Sequence, residues 1–205
     1  MLFRSLSTET NPSKFGDQLL QYWMRVGLTK GTGAEDVYSY NKAMAYPPHC
    51  TLTAFFPRGT KTNEEYYQAL LEAIEEQGSA PRTITLTQLK QNFGISSTLD
   101  SIQLTSSFLA AVAKAFVQNA NLNEGIVKPS DTYHITLRDV AFSGSTKKQR
   151  AKLNEIHGFQ DSYVAPYIHS SVAWSLTIYS DDGNPPPGNP PPSVKLTTVI
   201  CSIPI

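Results

Sequence analysis

The sequence predicts an α+β fold of two lobes built from helices and mainly antiparallel strands. Three observations carry that expectation. Apolar residues recur at helical spacing in stretches led by Phe15, Tyr67 and Phe108, whereas in 82–89, 133–142 and 171–179 they alternate with the period of a strand. A helical stretch also precedes each of two near-identical strand motifs, Pro48-His49-Cys50-Thr51-Leu52-Thr53 and Tyr133-His134-Ile135-Thr136-Leu137-Arg138. That parallel relates the lobes by an approximate two-fold axis. A chain of 205 residues suffices for one sizeable core or two small lobes sharing an interface, so 1–205 is read as one domain.

Taken in order, residues 2–6 read as a short first strand. Ser13 offers an N-cap, and Phe15, Leu19, Tyr22, Trp23 and Val26 form the apolar stripe of a helix that Gly27 ends. Residues 29–48 hold Gly31, Gly33, Tyr38, Tyr40, Tyr46 and the pair Pro47-Pro48, which reads as a loop. Tyr46, three residues before His49, either stacks on a base at the cleft or packs under its own loop.

The first motif strand covers 48–56, and Thr62-Asn63-Glu64-Glu65 is a capping box for a second helix carrying Tyr67, Leu70, Leu71 and Ile74, closed by Gly78. Strands follow over 82–89, 92–95 and 99–104; Ser106 then caps a third helix with Phe108, Leu109, Val112 and Phe116 on one face. After the second motif strand, 133–142, a short helix over 145–156 holds the basic cluster Lys147, Lys148, Arg150 and Lys152, read as a solvated face. His157 and His169 are read as structural or surface residues. Val172, Trp174, Leu176 and Ile178 give the next strand one buried face, and strand character resumes over 194–203. Between them 181–193 is a proline-rich hairpin tip, either a passive insertion or a ligand for an aromatic groove on a protein partner.

The chemistry resides in the two motifs. In a strand, alternation turns His49 and Thr51 to one face and Cys50 and Leu52 to the other; likewise His134 and Thr136 oppose Ile135 and Leu137. Side by side, such strands present two imidazoles and two hydroxyls to one cleft. Imidazole gives or takes a proton near neutral pH, and a threonine hydroxyl donates to a phosphate oxygen, a set suited to cleaving a phosphodiester without metal or cofactor. Two of only four histidines in the chain head these motifs. Thr53 and Arg138 are expected on the same face as substrate contacts, Arg138 either meeting phosphate or reaching solvent at the strand end.

Composition bounds the partners. With 17 basic and 17 acidic residues the chain carries no net charge, which argues against a long nucleic acid and leaves a small nucleotide. Two cysteines are too few for a disulfide framework or a thiolate zinc site. No secretory leader or membrane span is legible, so a soluble, cytoplasmic protein is expected.

Leu19-Leu20-Gln21-Tyr22-Trp23, Pro48-His49-Cys50-Thr51-Leu52 with Phe55-Phe56, Asn92-Phe93 and Tyr133-His134-Ile135-Thr136-Leu137 together resemble the two-histidine (2H) phosphoesterase superfamily. The likeness is nearest to the phosphoesterase domain of ubiquitin-associated and SH3 domain-containing proteins. It implies a bilobal, LigT-like fold, two mainly antiparallel sheets related by a pseudo-two-fold axis with helices packed outside and a central cleft, and His49, His134, Thr51 and Thr136 as the catalytic set. It further implies hydrolysis of 2′,3′-cyclic phosphates or of 2′–5′ linkages, as in 2′–5′ oligoadenylates and cyclic dinucleotide second messengers. The alternative from another class is a non-catalytic module that binds a nucleotide or RNA end and shows its proline-rich tip to a protein.

Overall fold

Phe15, Leu19, Tyr22, Trp23 and Val26 are all buried and form the inner stripe of α1 (Lys14–Leu28). The computed structural model describes residues 14–28, 49–53, 56, 59–94, 99–123, 127, 129–130, 132–139, 145–172, 174–181 and 197–205. The expected strand over 2–6, the Ser13 cap, the loop with Tyr38, Tyr40 and Tyr46, and all but the first residue of the proline-rich tip lie outside the described residues.

The expected capping box is present at the start of α2 (Asn63–Glu75): Thr62 accepts from the Glu65 amide at 3.2 Å while the Glu65 carboxylate accepts from the Thr62 amide at 2.6 Å. Tyr66, Ala69, Leu70, Ala73 and Ile74 are its buried face. Ser106 caps α3 (Ser107–Asn119), accepting from Leu109 and donating at 3.0 Å to the Thr83 carbonyl, so one hydroxyl ends a helix and fastens it to the preceding sheet. Ser106→Ala is therefore expected to cost ~1–2 kcal/mol, read as a lower urea midpoint at unchanged slope.

β1 (Thr85–Lys90), β2 (Leu99–Thr105) and β3 (Tyr133–Asp139) form an antiparallel sheet in that order. Leu86, Ile102, Leu104, Ile135 and Leu137 fill its core face. β4 (Ser175–Asp181) and β5 (Thr197–Pro204) pair antiparallel as a second sheet, the expected hairpin. Ahead of β4, His169, at a φ of 71°, turns the chain along β1, where Ser171 bridges Thr85 antiparallel. There the His169 amide donates to the Leu86 carbonyl at 2.6 Å and the Leu86 amide to the Ser170 carbonyl at 3.2 Å.

Helix α1 packs on α4 (Thr146–Tyr163), and α2 packs on α3. One apolar core runs through all four helices and both sheets, with Phe56 joining α2 and α3 through ring contacts to Tyr66 at 5.8 Å and Phe116 at 6.4 Å. The chain is thus α+β with antiparallel sheets. No helix among the described residues is long and apolar enough to cross a membrane.

Three expectations about elements are corrected. Helix α4 runs seven residues past the expected end at Ile156, to Tyr163, because His157 and Gln160 face inward and continue the buried stripe of Leu153 and Ile156. Asn92, Phe93 and Gly94 form no strand; they are a loop held to Asp100 and α4 by the Asn92 amide and the Gln91 side chain. Strand β4 is covered on both faces, since Ser175 and Thr177 are buried along with Trp174, Leu176 and Ile178.

Candidate active site

Cys50, next to His49, joins the sheet beside β3 through an isolated antiparallel bridge to Ile135. Both bridge residues are buried in the core, and burial drives the Cys50 thiol up to about 12, although the His134 backbone partly opposes it. Cys50 is a packing residue and not a nucleophile.

An antiparallel bridge dictates its neighbours. With Cys50 facing Ile135, His49 stands across from Thr136 and Thr51 across from His134. All four are half-buried, on the face opposite the core, while Cys50, Leu52, Ile135 and Leu137 point inward. A local two-fold through the Cys50/Ile135 pair exchanges His49 with His134 and Thr51 with Thr136. The imidazoles are diagonal neighbours, roughly 7–8 Å apart at the backbone, so rings reaching up from the sheet flank a volume that one phosphate fills.

The same face extends across the sheet. His134 pairs with Gln103 and Gln103 with Gln88; Thr136 pairs with Ser101 and Ser101 with Lys90. Two cross-strand rows result, Thr51–His134–Gln103–Gln88 and His49–Thr136–Ser101–Lys90. Within them Gln103 donates to the Ser101 hydroxyl at 3.0 Å. Burial lowers the pKa of His134, and the positive charge of Lys90 adds to the effect. Both causes favour the neutral ring.

Two expected contacts are not on this face. Arg138 is fully buried, its guanidinium forked onto Asp100 at 2.7 and 2.8 Å. A β-bulge explains the turn: Thr136 and Arg138, two residues apart, stand opposite the adjacent pair Ser101 and Asp100, so Leu137 is an extra residue and Arg138 swings toward the helices. Thr53 is also fully buried, and its Oγ1 has no hydrogen-bond partner among the described residues. Among the described residues of the strand expected over 48–56, pairing is confined to isolated bridges at Cys50 and Thr53. Thr53 pairs with Pro129, out of step with the Cys50/Ile135 bridge, and the Ser130 amide donates to the Leu52 carbonyl at 2.8 Å. Tyr46 lies outside the described residues.

Beneath the face, Asp100 organises a polar cluster that the sequence did not disclose. Besides Arg138 it accepts from the Asn92 amide at 2.8 Å and the Gln160 side chain at 3.0 Å, and its Oδ2 lies 3.2 Å from His157 Nε2. Gln160 also donates to the Tyr22 hydroxyl, which donates to the Leu137 carbonyl at 3.2 Å. Burial acts to raise the Asp100 pKa, but Arg138, His157, the Asn92 amide and Gln160 together hold it well below the usual carboxylate range. Two elements of the sheet and two helices are thereby tied directly behind the histidine face.

Compared with family models, curated proteins and solved structures, the chain matches none.

Proposed function

We propose that the protein is a metal-independent phosphodiesterase of the two-histidine type, acting on 2′,3′-cyclic phosphates or 2′–5′-linked nucleotides. The observation that carries this reading is the placement of His49, Thr51, His134 and Thr136 together on one accessible sheet face, diagonal across a local two-fold. His134, favoured in its neutral form, takes the proton of the attacking oxygen: water for a cyclic phosphate, the neighbouring 3′-hydroxyl for a 2′–5′ bond. His49, protonated, delivers a proton to the leaving oxygen. Thr51 and Thr136 donate hydrogen bonds to the non-bridging oxygens and offset charge that develops in the transition state.

The helix pairing supports a bilobal 2H fold. Helix α1 precedes the first motif and packs on α4, which follows the second; α3 precedes the second and packs on α2, which follows the first. Exchange of the two halves preserves that arrangement.

Hydrolysis of adenosine 2′,3′-cyclic phosphate and a 2′–5′-linked diadenylate, assayed in EDTA across pH, tests the reading. A bell-shaped profile of kcat/KM is expected, rising as His134 loses its proton and falling as His49 loses its own. Because the His134 pKa is lowered, the rising limb lies on the acid side of the ordinary imidazole range. Flat activity from about pH 5 to 9 contradicts the pair as acid and base, and nucleotide binding without product favours a binding module.

A further inference from the structure

A cleft of about 530 Å³ opens beside the histidine face, lined in part by Thr87, Gln88, Lys90, Gln103, Thr105 and Thr132. Its size is that of a small-ligand site. Gln103 is both a wall of this cleft and the register partner of His134, so the cleft borders the histidine pair. Hydroxyl and amide side chains dominate the lining, which includes one cation and no carboxylate. That chemistry fits a sugar and an anion better than an apolar group.

We propose that this cleft seats the second nucleotide of a dinucleotide substrate, with Lys90 as the contact to that nucleotide's phosphate. The inference rests on the phosphodiesterase reading and adds a preference for substrates carrying a phosphate beyond the one that is cleaved. Lys90 is exposed, at the end of β1, and no carboxylate pairs with it among the described residues. Arg138, the cation expected for phosphate, is committed to Asp100. Two strand spacings separate β1 from β3, about 10 Å, so a phosphate held by Lys90 is distinct from one held between His49 and His134. An isolated nucleoside cyclic phosphate occupies the histidine pair and leaves Lys90 unused. An ammonium contact to phosphate is a charge-assisted hydrogen bond, and it acts on substrate binding ahead of the chemical step.

The test compares wild type, Lys90→Ala and Lys90→Arg on two probes: 5′-phosphorylated 2′–5′ diadenylate and adenosine 2′,3′-cyclic phosphate. Each protein is assayed at its own pH optimum, because removing the Lys90 charge also acts on His134. The kcat/KM ratio of dinucleotide to cyclic mononucleotide is expected to fall about tenfold or more in Lys90→Ala, through KM, and to recover largely in Lys90→Arg. An unchanged ratio overturns the assignment. Should wild type hydrolyse neither probe, the phosphodiesterase reading fails by itself and calorimetric titration with the same dinucleotide decides on the cleft. A Kd weakened about tenfold by Lys90→Ala then upholds it; an equal Kd, or no binding, overturns it.

Discussion

Asp100→Ala is expected to destabilise the protein by ~3–5 kcal/mol, a loss large enough to shift the urea midpoint of a domain this size well outside experimental error. The cause is the Arg138 guanidinium, fully buried and held at 2.7 and 2.8 Å by the carboxylate that the substitution removes. Left behind, it is a buried positive charge that has lost this carboxylate. Arg138→Met should be similarly costly, since it strands Asp100 instead, whereas replacing both residues by apolar ones should cost clearly less than the sum. A loss below about 1 kcal/mol in Asp100→Ala would mean that solvent reaches the pair.

The pH dependence has a definite sign. Because the folded-state pKa of Asp100 is depressed, its contribution is fully present above the ordinary carboxylate value, about 3.9, and is lost as pH falls from there through the folded value. Wild type should therefore lose stability in strong acid, and Asp100→Ala should show a flatter acid limb. Arg138 shares β3 with His134 and Thr136, so the same variant is also expected to loosen the histidine face.

What the sequence disclosed is what short-range periodicity encodes. The inner stripe of α1, the Thr62/Glu65 capping box and the common face of each His-x-Thr motif depend on residues within a few positions of one another. Strict alternation carries Arg138 and Thr53 onto the histidine face, whereas both are fully buried. The bulge beside Asp100 and the out-of-step pairing with Pro129 are properties of neighbouring strands and are not written in either motif. Apolar patterning ends α4 early because His157 and Gln160 are polar, which hides a buried stripe whose partner is Asp100. Lys90, Ser101 and Gln103 escape the sequence for a related reason. Ser101, itself buried, and the half-buried Gln103 alternate with Ile102 and Leu104, but only the register β1–β2–β3 brings them and Lys90 beside His134 and Thr136.

The second large effect belongs to the imidazoles. Alanine at His49 or His134 removes one of two proton transfers needed in a single displacement, and either change is expected to lower kcat by ~10²–10⁴. Both rings lie on a half-buried face and neither fills the core, so the folded state should survive the change. A step that needs both rings is already disabled when one is gone, and the double variant should be little slower than either single one. Measuring kcat on 2′–5′ diadenylate in EDTA for wild type, His49→Ala, His134→Ala and the double variant puts this to the test. Two comparably impaired single variants, with a double variant near their level, are expected; single variants that turn over at the wild-type rate contradict the account.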